Sequence, residues 1–202
     1  MKAFGYDSSK FRVILVQMVN LLKHGEPFQM SKRAGNFVTL SEVVDLVGAD
    51  TTKFIFLTRK SDSHLDFDID VVTATSAENP VFYVQYANAR IHSILANAKD
   101  KGIDIAAKEI DFSLLNGEEM ALVKKLLAYP MVLEGAARAF EPHRITFYLQ
   151  ELAGMFHPYY HKFKVITDDE EMTRTRLALC VAIKIVLSDA LSILGVAAPE
   201  KM

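Results

Sequence analysis

The residues best suited to chemistry in this sequence are Ser31, Lys32 and Arg33, with Gly35 close behind, inside the stretch EPFQMSKRAGNFVTL at 26–40. A hydroxyl donor, a point-charge ammonium and a planar guanidinium fork, beside a glycine that permits close backbone approach, are the parts a phosphate-binding loop uses. The same residues also compose an ordinary solvated turn. A second set is Tyr83, Tyr86 and Arg90, spaced by three and four, with Phe156 and Tyr160 as a further aromatic pair four apart. Rings and a guanidinium on one helix face can stack on and hydrogen-bond to unpaired nucleobases, or they can pack against a neighbouring helix. His157 and His161 also stand four apart, but Pro158 intervenes and no third ligand follows at suitable spacing, so no metal site is expected. Arg138, His143, Arg144, Lys162 and Lys164 are suited either to phosphate contacts or to a solvated helix face.

These residues need elements to hold them. The apolar run FRVILVQMVNLL at 11–22, followed by HGEP, predicts a β-hairpin whose far strand at 28–30 delivers the chain into the cationic loop. Thr39 and Glu42 form a capping-box pattern for a short helix that Gly48 ends, and Asp50 is placed to cap a second at about 51–60. The alternation in SDSHLDFDID at 61–70 predicts an extended segment. From Asn79 onward the pattern is helical. Asn79 as cap and Pro80 at the first position start a helix to about Lys99, with Val81, Val84, Ala87, Ile91, Ile94, Leu95 and Ala98 as its buried stripe. Tyr83, Tyr86 and Arg90 fall on the strip beside it. Further helices are expected near 118–128, 131–140 and 143–163, and a last one opened by a Thr167/Glu170 capping box and closed at Gly195.

The whole is mostly α: a small α/β piece over 1–75, then an all-α helical bundle over 76–202. At 202 residues and 50 % apolar composition the chain can bury a sizeable core. A formal charge of −2 gives no global attraction for polyanions, so any must come from local clusters. The single cysteine, Cys180, lies in an apolar stretch and reads as a packed thiol. No signal-peptide pattern and no window of the roughly 20 apolar residues a membrane span requires is found, so a cytoplasmic protein is expected.

Gln29, Met30, Ser31, Lys32 and Arg33 resemble the signature loop of class I aminoacyl-tRNA synthetases, whose family form is Lys-Met-Ser-Lys-Ser; three of five positions match, and arginine at the fifth is similar to the arginyl-tRNA synthetase variant. SDSHLDFD at 61–68, NPVFYVQYANAR at 79–90 and the ending GVAAPEKM are also similar to arginyl-tRNA synthetase segments, so the resemblance runs along nearly the whole chain. The family's His-x-Gly-His signature does not occur in this sequence. A C-terminal fragment is therefore expected, lacking the nucleotide-binding half and inactive alone.

The resemblance implies an ATP-dependent arginine–tRNA ligase of translation, in which ATP with Mg2+ is a substrate that the fragment does not bind tightly. It places Met30, Ser31, Lys32 and Arg33 in the ATP-binding loop, with Lys32 and Arg33 as catalytic cations at the leaving pyrophosphate. It makes the helical part the anticodon-binding domain, with Tyr83, Tyr86, Arg90, Phe156, Tyr160 and the chain end Met202 against the anticodon of tRNA(Arg). ATP and arginine would be partners only with the missing half, and a monomer is expected. The alternative is a free-standing tRNA-binding module without catalytic activity. A helical scaffold without RNA contact would show no salt-dependent binding.

Overall fold

The computed structural model describes residues 2–28, 38–104 and 110–202. The expected signature loop, Gln29 to Gly35, lies outside the described residues.

Strand β1 (Val19–Lys23) turns back through His24 and Gly25, both at positive φ (55° and 75°), into β2 (Glu26–Pro27). Two consecutive left-handed residues give the tight turn whose twist matches antiparallel strands, and Lys23 faces Glu26 across it. The hairpin is shorter than the apolar run predicts. Residues 11–18 form no strand, and Phe11, Val13, Ile14, Leu15, Val16 and Met18 are all exposed. Among the described residues the far strand occupies 26–27 and Phe28 is not part of it, while Gln29 and Met30 of the expected 28–30 lie outside the described residues. On its other side β1 pairs in parallel with β3 (Leu65–Asp68), Val19 opposite Leu65 and Leu21 opposite Phe67. The extended segment expected at 61–70 is thus the third strand, and the sheet order is β2-β1-β3.

Helix α1 (Leu40–Val47) starts with the expected capping box. Thr39 Oγ1 accepts from the Glu42 N–H, and the Glu42 carboxylate accepts from the Thr39 N–H at 2.7 Å. Gly48, at φ 86°, both ends α1 and begins α2 (Ala49–Phe56). Asp50 therefore does not cap α2; it sits in its first turn and accepts from the distant Ala197 N–H at 3.0 Å. After the short α3 (Ile69–Thr73), Val43, Ile55, Leu65, Phe67, Ile69 and Val72 close one apolar cluster.

The helical layer follows: α4 (Pro80–Asp100), α5 (Gly117–Leu127), α6 (Tyr129–Ala139), α7 (His143–Lys162) and α8 (Glu170–Ile193). Their inward faces form a second, larger cluster that includes Val84, Ile91, Leu149, Phe156, Leu177 and Leu187, and to which Phe54 of α2 also belongs. Two neighbouring residues of α2, Phe54 and Ile55, thus serve different clusters. Glu119, fully buried at the start of α5, accepts from Arg176 Nε of α8 at 2.7 Å and from the Asn116 N–H at 2.9 Å, so its buried charge is paired. The last helix is capped differently from expectation. Asp169, not Thr167, accepts from the N–H groups of Glu171 and Met172, each at 3.0 Å, while the Thr167 N–H donates to Thr173 Oγ1. No helix among the described residues is long and apolar enough to cross a membrane.

Candidate nucleic-acid interface

Helix α4 is set at its start by one side chain. Asn79 Oδ1 accepts from the Val81 and Phe82 N–H groups, and Asn79 Nδ2 donates to the carbonyls of Val72 (2.8 Å) and Ala74 (3.0 Å) at the end of α3. Pro80 costs nothing at the first helical position because its missing N–H would be unpaired there. With Val81, Val84, Ala87, Ile91, Ile94 and Ala98 turned inward, the strip carrying Tyr83, Tyr86 and Arg90 is left half-buried, facing the last turns of α7.

There the sequence-distant residues meet. The Arg90 guanidinium lies 4.7 Å from the Tyr86 ring centre and 4.6 Å from that of Tyr160, and it donates a hydrogen bond to the Tyr86 hydroxyl. Two ring faces thus hold a planar cation whose remaining N–H donors point along its own plane. His157 braces the strip from below. Its ring centre is 4.4 Å from that of Tyr83 and 5.7 Å, nearly parallel at 20°, from that of Tyr86. Its Nε2 donates to the Tyr83 carbonyl at 3.1 Å. Burial pushes the His157 imidazole below its ordinary pKa, and the charges of Arg90 and His161 push the same way, against the raising effect of the Tyr83 carbonyl. Phe82 stacks on Tyr86 at 5.8 Å and 8°.

The same face continues at the helical spacing to Ser93, Asn97 and Lys101. These line a groove of about 580 Å³ with Tyr160, His161, Lys162 and Lys164 on its other side. Ser93 and Asn97 also border a second groove of about 450 Å³, shared with His92, Asp100, Glu200 and Lys201. Lys162 is engaged by Glu118, whereas among the described residues no carboxylate lies within ion-pair distance of Lys101 or Lys164.

Of the residues singled out from sequence, Tyr83, Tyr86, Arg90 and Tyr160 converge here. Phe156 does not: it is fully buried, packed on His157, Tyr159 and Tyr160, and offers no ring face to a ligand. Four positions along a 3.6-residue helix turn a side chain by an extra 40°, which places Tyr160 at the groove and Phe156 in the core. Met202 follows Lys201 at the second groove and is 54 % exposed. Met30, Ser31, Lys32 and Arg33 fall outside the described residues. His143 and Arg144, at the far end of α7, stand about 24 Å from Tyr160 by helix rise and do not join the groove; Arg144 pairs with Glu141 and Arg138 with Glu134. Among the described residues no three His, Cys, Asp or Glu side chains form a metal-binding group. Ser93, Asn97 and Lys101 escaped the sequence reading, although extending the three-and-four spacing beyond Arg90 reaches all three.

A profile of the DALR anticodon binding domain matches residues 84–202. Among curated proteins, the arginine–tRNA ligase of Geobacter sp. (strain M21) is 52 % identical over 203 aligned positions, spanning 100 % of this chain and 37 % of that protein. That of Moorella thermoacetica is 46 % identical, spanning 100 % and 36 %. The chain thus spans little more than a third of the length of these relatives. Among solved structures, a Campylobacter jejuni protein described as an arginyl-tRNA synthetase superposes with TM-score 0.86 at 38 % identity, covering 100 % of this chain and 43 % of that one. Thermus thermophilus arginyl-tRNA synthetase gives TM-score 0.70 at 25 % identity, covering 90 % and 34 %.

Proposed function

This chain belongs to the DALR anticodon-binding family, and from that premise we propose that it is the tRNA-reading part of an arginine–tRNA ligase, binding tRNA(Arg) at its anticodon. The observation that carries this reading is the Arg90 guanidinium held between the rings of Tyr86 and Tyr160, the latter also lining a groove with Lys101, Lys162 and Lys164. Anticodon bases are single-stranded and can be splayed out. A protein reads such bases by giving their faces something flat to stack on and their edges fixed donors. Arg90 supplies the donors, Tyr83, Tyr86 and Tyr160 the flat surfaces, and Lys101 and Lys164 charge for the flanking phosphates.

The further step, charging of the tRNA, rests on the resemblance of Met30, Ser31, Lys32 and Arg33 to the class I signature loop. In this reading Mg2+–ATP and arginine enter as substrates held by a nucleotide-binding part of the ligase. Lys32, assisted by Arg33, neutralises charge that grows on the leaving pyrophosphate as arginyl-adenylate forms. A cation placed there lowers the barrier because it binds the transition state more strongly than the ground state. Translation is the process served, and the cytoplasm the expected place.

The deciding experiment measures binding of tRNA(Arg) and of a copy with a substituted anticodon at two ionic strengths. Base reading appears as a preference for the native anticodon that persists when salt is raised. Equal affinity for the two, falling together with salt, would reduce the protein to a charge-driven binder and overturn the reading.

A further inference from the structure

Beyond α8 the chain forms neither helix nor strand, yet residues 195–199 are held at four main-chain atoms by side chains of two other helices. From α2, Lys53 Nζ donates to the Gly195 carbonyl at 2.7 Å, and Asp50 Oδ2 accepts from the Ala197 N–H at 3.0 Å. From α4, Gln85 Nε2 donates to the Ala197 carbonyl and Asn88 Nδ2 to the Pro199 carbonyl, each at 2.9 Å. Asn88 is fully buried, and its own oxygen accepts from Ser188 Oγ of α8 at 3.2 Å, which fixes the direction of the amide. The Val196 side chain is buried in the helical core. A segment without helix or strand ordinarily stays loose unless something ties it down. Here the ties address backbone atoms, so they specify the path of the tail, and that path ends with Glu200 and Lys201 against His92, Ser93 and Asn97.

We propose that Asp50 and Lys53 are positioning residues for RNA recognition: with Gln85 and Asn88 they clamp residues 195–199 so that Glu200, Lys201 and Met202 form one wall of the groove beside Ser93 and Asn97. The proposal rests on the anticodon-reading function argued above. Neither Asp50 nor Lys53 lines either groove, so their effect on a ligand there has to pass through the tail. The arrangement also ties α2 of the α/β piece to the reading face through hydrogen bonds that bypass the aromatic strip.

The test uses the 202-residue chain, a tRNA(Arg) transcript and an anticodon-substituted copy, with the double variant Asp50→Ala/Lys53→Met, a truncation after Pro199, and the two combined. The double variant is expected to weaken binding of the native transcript about tenfold and the truncation by a similar factor. The combination should be no more than about threefold weaker than either, because both remove one wall. Asp50→Asn, which keeps an acceptor for the Ala197 N–H, should bind within about twofold of the parent. Multiplying losses in the combination, or faster amide exchange at Ala197, Ala198 and Glu200 in the double variant with undiminished affinity, would overturn the proposal. So would unchanged exchange at Ala197, measured without RNA. A parent chain that binds both transcripts alike would instead defeat the anticodon reading itself, and the exchange measurement would still decide whether the clamp exists.

Discussion

Arg90 and Phe156 make opposite predictions although both come from the same aromatic-basic pattern. Arg90→Ala removes a guanidinium that two rings hold in place, and the expected loss is about 1–3 kcal/mol of tRNA binding with little change in thermal midpoint. Arg90→Lys should recover less than half of that, since an ammonium keeps the charge but not the planar fork. Phe156→Ala should instead cost about 3–5 kcal/mol of folding stability, because it empties a fully buried site; calorimetry of both variants beside a binding titration separates the two. Lys32 is tested in a ligase that contains this sequence. Lys32→Ala should slow adenylate formation by about two to three decades, equivalent to roughly 2.7–4 kcal/mol, and a rate within about threefold of the parent in pyrophosphate exchange would remove it from the chemistry. His157 makes a pH-dependent prediction. Its folded pKa lies below the ordinary 6.5, mainly because it is buried. Above that value both states carry a neutral ring and its contribution is fully present; as pH falls below it, the unfolded chain takes up the proton first and stability is lost. The thermal midpoint should drop between about pH 7.5 and about pH 5.5, and drop less in His157→Gln. Residual slope is expected from His143, whose pKa burial also lowers. Spacing alone made Tyr83, Tyr86, Arg90 and Tyr160 visible but could not tell that Phe156 is buried, because a strip of rings at intervals of three and four has an inner and an outer edge that only packing distinguishes.

At the scale of elements, the start of α8 shows where local pattern suffices and where it does not. Thr167 and Glu170 satisfy a capping-box spacing, whereas the register two residues later has Met172 at the third helical position and offers only a simple cap, Asp169, which takes the N–H groups of Glu171 and Met172. The second register prevails in the fold because Thr173 occupies Thr167 through its N–H and its hydroxyl. Asp169→Ala is therefore expected to cost about 1 kcal/mol in denaturant titration, and Thr167→Ala less, the reverse of what the sequence pattern predicts. The caps at Thr39 and Asn79 were legible because no second register competes with them. The strands were less so. A run of β-branched and aromatic residues at 11–18 has strand propensity, but propensity needs a partner ladder, and this segment shows the local Phe11 N–H to Ser8 carbonyl bond at 3.3 Å and the Gln17 N–H to Ser61 carbonyl bond at 2.8 Å. Likewise nothing local in Val19–Leu22 announces that it lies parallel to Leu65–Asp68, since that register is fixed by burial of Leu65 and Phe67 some 46 positions away.

For the whole molecule, 25 acidic against 23 basic side chains leave a charge of −2, so attraction for RNA has to be local and its salt dependence should count only the few cations at the groove. Lys101 and Lys164 line it without an ion-pair partner among the described residues, whereas Lys162 is already neutralised by Glu118. Each lysine that meets a phosphate of a single-stranded segment releases counterions and adds roughly 0.7 to the slope of log affinity against log salt. Lys101→Ala and Lys164→Ala should each flatten that slope by about this amount and weaken native and anticodon-substituted tRNA equally, while Lys162→Ala changes it by less than half as much. Arg90→Ala should act in the other sense, leaving most of the slope and abolishing the preference between the two tRNAs. A titration of the four variants between about 50 and about 200 mM salt reads both quantities at once. Should Lys162→Ala flatten the slope as strongly as Lys164→Ala, the Glu118 pair must open on binding, and the groove that meets RNA would be wider than the one seen in the free protein.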